Sequence, residues 1–179
     1  FTTESDVKKM YKKREKFAHK GNFGHSLLIM GSYGKLGAAI LATQACLRAG
    51  VGLVTVHIPE CGFEVLQNSV PEAMVSLDED RYIVTKVEEI EKYSTIAIGC
   101  GLSTKNKTRN ALCYLLKQLD SSLVLDADAL NILGQSKDWL ELIPKGSILT
   151  PHAKEFERMF GSTKNNFERN ELQRKKARE

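Results

Sequence analysis

Short apolar runs alternate along the chain with longer segments in which apolar residues recur at helical spacing. The short runs predict strands at 25–30, 53–58, 73–75, 95–98, 123–125 and 147–149. The helical spacing predicts helices at 4–16, 36–48, 63–68, 87–92, 104–119, from 127, and from 150 to 160. Continuously apolar strands that alternate with helices are typical of a parallel sheet covered on both faces. We therefore predict an α/β fold with a mostly parallel sheet.

Both ends of the chain are predicted to be charged helices. Seven Lys and Arg stand against three acids in residues 1–20, and six against three in residues 164–179, whereas the whole chain has a net charge of +4. Because solvated terminal helices account for this basic charge, we expect no nucleic-acid partner. Residues 165–179 show no apolar face, so we expect a C-terminally truncated chain. Residues 1–16 would then be an N-terminal helix or connector, and residues 17–179 the first part of a larger domain.

The four cysteines form no CxxC pair and have no histidine at metal-ligand spacing, so we expect no zinc site and assign no metal ligand. Cys46 and Cys113 fall within apolar helical patterns and are predicted to be buried. The charged N-terminus does not resemble a signal peptide, and no apolar run approaches the roughly 18–20 residues that a membrane span needs. These observations favour a cytoplasmic protein without a membrane partner.

A glycine-rich turn over 31–39 follows the first predicted strand and opens a helix. Glycines let a backbone approach a ligand closely, and the amides at a helix N-terminus favour anions. The GxxGxxG spacing does not match a dinucleotide-binding fingerprint, and His57 stands near the end of the second strand, where that fingerprint has an acid. A P-loop requires Ser or Thr after Gly34-Lys35, but Leu36 follows. The turn is therefore either a ligand site of another kind or a tight turn with close helix packing.

Three further segments with unusual residues follow predicted strands. These are Gly99-Cys-Gly-Leu-Ser103, Asp126-Ala-Asp128 and Thr150-Pro-His-Ala-Lys-Glu155. Since ligands bind at the carboxyl ends of strands in parallel sheets, we expect all four segments to share one pocket. Asp128 is a candidate for holding magnesium-bound water, for orienting a substrate hydroxyl or for capping its helix. Glu155 suits a capping box or an interaction with the helix dipole, whereas a strand-end loop rarely needs the imidazole of His152 for packing.

Together these segments resemble the NAD(P)H-hydrate dehydratase family of the ribokinase-like superfamily, from about residue 17 to 161, in order and in register. Each motif is modest alone, but the set is specific. The resemblance implies a three-layer α/β/α fold that is incomplete in this chain. The residues that carry it are His19-Lys20-Gly21-Asn22-Phe23-Gly24-His25, Gly31-Ser32 with Gly37-Ala38-Ala39, Leu47-Arg48-Ala49-Gly50-Val51-Gly52-Leu53, Pro71-Glu72-Ala73-Met74, Gly99 with Gly101-Leu102, Leu125-Asp126-Ala127-Asp128-Ala129-Leu130-Asn131, and Leu149-Thr150-Pro151-His152 with Glu155-Phe156.

The resemblance implies an enzyme, a hydro-lyase that dehydrates NAD(P)H hydrate back to NAD(P)H at the expense of ADP (bacterial members) or ATP (eukaryotic members), with Mg²⁺. The nucleotide's terminal phosphate would activate the ring hydroxyl and then leave. By position, Ala38, Gly101 and His152 match the family's hydrate-binding residues. The preference between NADH and NADPH hydrate stays open. With the candidates from the strand-end motifs, the predicted substrate-binding residues are Gly31, Ala38, Gly101, Asp128, His152 and Glu155.

The family also carries a lysine-glycine nucleotide loop and a Gly-x-Gly-Asp motif, whose Asp is taken as the base. Neither motif occurs in residues 1–179, so we assign no catalytic residue to this chain and expect it to be inactive alone. The resemblance further implies a homo-oligomer and, in many bacteria, fusion to an NAD(P)H-hydrate epimerase domain through the helix before His19. Two alternatives stay open, a ribokinase-like kinase of a sugar or vitamin alcohol and a non-catalytic nucleotide-binding module.

Overall fold

In the computed structural model, which describes residues 2–11 and 13–179, six strands form one parallel sheet. Their order across the sheet is β3-β2-β1-β4-β5-β6, and every neighbouring pair is parallel. The prediction of a mostly parallel sheet is therefore confirmed. The strands are β1 His25–Ile29, β2 Leu53–Ile58, β3 Met74–Leu77, β4 Thr95–Ile98, β5 Val124–Leu125 and β6 Ile148–Leu149.

Helices connect the strands and flank the sheet. In the described part of the chain they are α1 Glu4–Met10, α2 Leu36–Ala49, α3 Phe63–Ser69, α4 Asn106–Gln118, α5 Asp128–Gln135, α6 Ala153–Phe160 and α7 Asn166–Lys176. Short 3₁₀ segments lie at Lys20–Phe23, Glu60–Gly62, Ile90–Lys92 and Lys137–Leu142. None of the helices is long and apolar enough to cross a membrane within the residues described.

Alternate residues of β1 belong to two separate hydrophobic cores, one on each face of the sheet. Leu27 and Ile29 pack in the core that contains the buried side chains of α4 and α5. Leu28 and Met30 pack in the other core, with residues of α2 and α3. Since both faces of β1 are covered, the run from Leu27 to Met30 is apolar throughout and shows no alternation. The result is the three-layer α/β/α arrangement that the sequence predicted.

Several helix boundaries differ from the sequence-based prediction. The helix predicted at 87–92 is only the 3₁₀ segment Ile90–Lys92, and the terminal helix predicted at 4–16 ends at Met10. Thr104 does not cap α4, because the chain stays extended through Lys105 and the helix begins at Asn106 without a side-chain cap. Ser103 just before it adopts φ 84°, which directs its N–H to Asp128 instead of into a helix.

The two cysteines that were predicted to be buried are only partly buried. Cys46 and Cys113 are both partly buried, and neither belongs to the fully buried core. Cys46 does pack against the core on the α2 side of the sheet. A cysteine at an apolar helical position can thus lie at the edge of the apolar stripe, where periodicity alone does not separate edge from centre.

The strand order creates a crevice between β1 and β4. From β1 the chain proceeds outward to β2 and β3 and then returns to the other side of β1 to form β4. The connections that leave β1 and β4 therefore lie on opposite faces of the sheet, with α2 on one and α4 on the other. At such a switch point the loops diverge, and open α/β sheets bind their ligands there.

Candidate functional site

The turns that follow β1 and β4 contact each other directly at this crevice. The N–H of Gly31 donates to the Cys100 carbonyl (2.9 Å), and the Ser32 hydroxyl donates to the Gly101 carbonyl (2.7 Å). Gly101 has φ 68°, and a β-carbon there would lie 2.8 Å from the Lys35 carbonyl oxygen. The same atom would lie 3.2 Å from the β-carbon of Ala38. Close backbone packing, which the sequence left as one explanation of these glycines, is therefore present.

The turn after β4 is packed equally closely against the end of β5. A β-carbon on Gly99 would lie 1.7 Å from the carbonyl oxygen of Asp126, so only glycine fits this position. The Asp126 carboxylate accepts from the Cys100 thiol (3.2 Å) and from the Thr150 hydroxyl at the end of β6 (2.6 Å). Burial and the neighbouring Asp126 carboxylate raise the pKa of Cys100 to about 11. Asp126 thus joins the ends of three strands.

Asp128 connects three segments and does not cap its helix. The helix α5 begins there after Ala127, and no side-chain cap is formed. The Asp128 Oδ2 atom accepts from the Lys35 ammonium (3.0 Å) and from the Ser103 N–H (2.9 Å). Burial raises the pKa of Asp128, but these two donors outweigh it and hold the pKa below its usual value. The capping explanation of Asp128 is therefore wrong, and its carboxylate instead fixes Lys35 beside the crevice.

The backbone around Asp128 is strained. Ala127, which carries a β-carbon, has φ 48° and ψ −115°, and Ser103 has φ 84°. Such conformations cost on the order of 1–3 kcal/mol and persist where surrounding contacts enforce them, often at functional sites. Here the enforcing contacts include the hydrogen bond from Ser103 to Asp128.

His152 and Glu155 form a capping box at the start of α6, as the sequence allowed for Glu155. The His152 Nδ1 atom accepts from the N–H groups of Lys154 (3.1 Å) and Glu155 (3.4 Å). The Glu155 carboxylate accepts from the His152 N–H (2.9 Å) and lies 3.2 Å from its Nε2. A capping role for His152 was not predicted, because His is an unusual N-cap residue. Its side chain is nevertheless 61% exposed and accessible to a ligand.

The predicted site residues form two groups. Gly31, Ala38, Gly101 and Asp128 meet at the crevice. Within residues 2–11 and 13–179, no hydrogen bond or ion pair joins His152 to any of them. The two groups are linked through α5 and α6, since the Arg158 guanidinium of α6 donates to the Asn131 side chain one turn after Asp128.

An open cavity of about 500 Å³ lies beside the crevice. Its lining includes two lysines, two tyrosines and two serines, a set that suits an anionic ligand with flat rings. None of these residues was among the predicted site residues. Tyr33 and Lys35 lie inside the glycine turn, where their position was a usable signal, but nothing in the pattern around Tyr82 pointed to a site. The lining residues are Ser32, Tyr33, Lys35, Tyr82, Ile83, Ser103 and Lys105.

Comparisons with known proteins agree on one family. The Carb_kinase family model, described as NAD(P)H-hydrate dehydratase, matches residues 26–179. The ADP-dependent (S)-NAD(P)H-hydrate dehydratase of Staphylococcus aureus is 39% identical over 151 residues, covering 83% of this chain and 53% of that protein. The bifunctional NAD(P)H-hydrate repair enzyme of Coxiella burnetii is 34% identical over 174 residues, covering 90% of this chain and 32% of its own.

A solved structure supports the same relationship. The ADP/ATP-dependent NAD(P)H-hydrate dehydratase from Bacillus subtilis, co-crystallised with ATP/Mg²⁺, superposes with a TM-score of 0.70 at 30% identity. The superposition covers 98% of this chain and 59% of that one. The chain thus spans a third to three fifths of the length of these relatives.

Proposed function

The chain belongs to the NAD(P)H-hydrate dehydratase family, and from this premise we propose that it serves the ADP- or ATP-dependent dehydration of NAD(P)H hydrate back to NAD(P)H. The observation that carries the proposal is the contact between the two glycine turns, where Gly101 lies against Lys35 and Ala38. These turns pack against each other at the sheet's switch point, where open α/β sheets bind their ligands. The reaction is that of a hydro-lyase, and it repairs a damaged cofactor.

The substrate is a dinucleotide, so its binding site must accept a doubly charged pyrophosphate as well as flat rings. We assign the pyrophosphate to the cavity beside the crevice, because Lys35 and Lys105 supply positive charge there and neighbouring hydroxyls supply donors. Gly31, Ala38 and Gly101 act through their small size, which lets the turns that border the cavity pack closely together. Asp128 acts on the ligand through Lys35, which it holds in place.

His152 and Glu155 are proposed to contact the part of the substrate that extends toward α6. The exposed imidazole of His152 would donate a hydrogen bond from its Nε2 atom, because its Nδ1 atom accepts from the helix amides. Glu155 is almost fully buried and holds the His152 backbone, so its contribution is to orient the imidazole. This division of roles explains why the two residues occur together at the start of the helix.

No residue of this chain is assigned as the catalytic base. Mg²⁺ is proposed only as the ion that accompanies the nucleotide phosphates. In residues 2–11 and 13–179 there is no group of three or more His, Cys, Asp or Glu that could hold a metal ion. What these residues supply is binding and orientation of the substrate.

We further propose a homo-oligomer that works in the cytoplasm, with residues 1–16 as a connector from a preceding epimerase domain. The bifunctional name of the C. burnetii relative motivates the connector, and the four free cysteines fit a reducing compartment.

Exposed apolar side chains on α2 and α3, Leu41 and Phe63, offer a surface for self-association. Light scattering on the full-length protein tests the oligomer, and a monomer would contradict it.

Turnover by the full-length protein tests the proposed activity. Hydrated NADH with Mg²⁺ and ADP, or with ATP, is expected to regain the absorbance of NADH, whereas omission of nucleotide is expected to abolish the change. Phosphorylation of a pyridoxine-like alcohol is the matched assay for a kinase of the same fold. Absence of NADH recovery together with phosphorylation of the alcohol would overturn the dehydratase proposal.

A glycine pair tests whether the crevice binds the substrate. The added methyl group of Gly101→Ala would press on the Lys35 carbonyl, so we expect the KM for the hydrate to rise by about tenfold or more. Gly161→Ala is the control, because Gly161 also has a positive φ (98°) but no atom within 4 Å of the added carbon. Equal effects of the two substitutions on the KM would contradict a role for the crevice.

A further inference from the structure

The loop that follows β3, residues 78–86, is organised around one buried carboxylate. No surface of the Asp78 side chain is exposed, and its Oδ2 lies 3.4 Å from Nε2 of His57 on β2. An ionised carboxylate can only accept hydrogen bonds, so it suits a position surrounded by donors. Its other donors are the N–H groups of Asp80 (2.8 Å), Thr85 (2.6 Å) and Lys86 (2.9 Å) and the hydroxyl of Thr85 (2.7 Å).

These hydrogen bonds outweigh the unfavourable burial of the charge. Burial raises the pKa of Asp78, but the donors from His57, Asp80 and Thr85 hold the pKa well below its usual range. Because a buried acceptor of this kind pairs with several backbone amides at once, it fixes the path of the backbone and not just one side chain. The 78–86 loop therefore keeps a defined conformation, although it contains no helix or strand.

The loop carries two residues of the cavity wall, Tyr82 and Ile83. The Asp80 carboxylate accepts hydrogen bonds from the N–H groups of Tyr82 (2.9 Å) and Ile83 (3.3 Å). A second carboxylate therefore fixes this part of the loop. The far side of the loop is anchored to α4, since the Thr108 hydroxyl donates to the Val84 carbonyl (2.8 Å). The wall is thus held from both ends.

Tyr82 also contacts the glycine turn after β1. Its carbonyl accepts from the N–H of Tyr33 (2.8 Å), and the two rings meet edge to face with centroids 5.3 Å apart. Tyr33 lies two residues before Lys35, and both line the cavity. An unbroken series of hydrogen bonds therefore runs from Asp78 through the 78–86 loop to the turn that bears the proposed ligand residues.

We propose that Asp78 is a positioning residue for the substrate cavity, because it holds Tyr82 and, through Tyr82, Tyr33 in the arrangement that receives the dinucleotide. The proposal rests on the function proposed above. Asp78 contacts no ligand in this scheme, and its effect passes entirely through the backbone of the 78–86 loop. Its loss would leave the β1–β4 crevice intact and loosen only one wall.

Kinetic analysis of three substitutions in the full-length protein tests the proposal. In Asp78→Asn the amide NH₂ would face backbone donors, so we expect the KM for hydrated NADH to rise by about tenfold while kcat changes by less than about threefold. Thr85→Val is expected to raise the KM by a smaller factor, and Thr85→Ser, which keeps the hydroxyl, to restore it. Glu79→Gln is the control, since it removes one exposed negative charge from the adjacent position.

A second measurement separates positioning from loss of folding and from failure of the proposed function. Amide hydrogen exchange, taken well below the melting temperature of each variant, should show faster exchange at Tyr33, Ile83 and Thr85 in Asp78→Asn and unchanged exchange in β1 and β4. A folded Asp78→Asn protein with an unchanged KM overturns the proposal. A wild-type protein without turnover overturns the proposed function instead, and unchanged exchange at Tyr33 would then overturn the positioning role as well.

Discussion

The turn after β4 and the start of α6 both carry residues of the proposed substrate site, but they are built in different ways. In the turn, backbone lies against backbone, as Gly99 does against the Asp126 carbonyl. At the start of α6, polar side chains satisfy the helix's own amides through His152 and Glu155. The first construction leaves no volume for a side chain, whereas the second requires only an acceptor of suitable reach. Sensitivity to substitution should therefore differ sharply between the two regions.

The largest effect is expected at Gly99. Its substitution by Ala would place a β-carbon 1.7 Å from the Asp126 carbonyl oxygen, and relief requires that the β4 and β5 ends move apart. We expect the free energy of unfolding to fall by about 3 kcal/mol or more, measured by urea denaturation. Gly161→Ala, strained only by its backbone conformation (φ 98°, ψ 163°), should cost less, about 1–2 kcal/mol. Equal losses of unfolding free energy in Gly99→Ala and Gly161→Ala would show that close backbone packing is not the reason for glycine at position 99.

An intermediate effect is expected at His152, where two substitutions separate capping from binding. His152→Ala removes the cap acceptor and should lower the free energy of unfolding by about 1 kcal/mol. His152→Asn retains an acceptor for the amides of α6, so its free energy of unfolding should lie within a few tenths of a kcal/mol of the wild-type value. Both lack the imidazole, so both should weaken hydrate binding more than nucleotide binding. If His152→Asn bound the hydrate as tightly as the wild type, His152 would have only a capping role.

The smallest effect on stability is expected at Cys100, where the readout is chemical reactivity. Because burial and the Asp126 carboxylate raise its pKa to about 11, only about one thiol in a thousand is ionised near pH 8, and alkylation by iodoacetamide should be slow. Asp126→Asn removes the negative charge and should speed the reaction. Peptide mass spectrometry of the alkylated protein gives the rates. A wild-type rate equal to that of free cysteine would contradict the buried pairing with Asp126.

The strand pattern was predictable because strands buried on both faces consist mostly of apolar residues. The predictions for β2 and β4 match their observed bounds, and β1 differs only by its last residue. Helix starts were less predictable. Thr104 has the right chemistry for a cap, but Ser103 is drawn toward Asp128, a contact across 25 residues that local spacing does not encode.

The residues of the candidate site were likewise predictable only in part. Glycines that permit close backbone contact are visible in the sequence, and Gly31, Ala38 and Gly101 do meet. The cavity wall was missed because Asp78 and Asp80, acids in an irregular segment, resemble ordinary solvated loop residues. Only the fold shows that Asp78 is buried beside His57. In the sequence, His57 was notable only because it stands near the strand end where a dinucleotide-binding fingerprint has an acid.

The pairing of β1 with β4 has a consequence for folding kinetics. His25 and Ser94, which close the other end of this pair, are separated by 69 residues, so their contact carries a large loop-closure entropy. Contacts of such long sequence separation form late relative to local ones. A chain emerging from the ribosome must therefore have released β2, β3 and the segment through β4 before the crevice can form, so ligand capture requires that β1 and β4 have already paired.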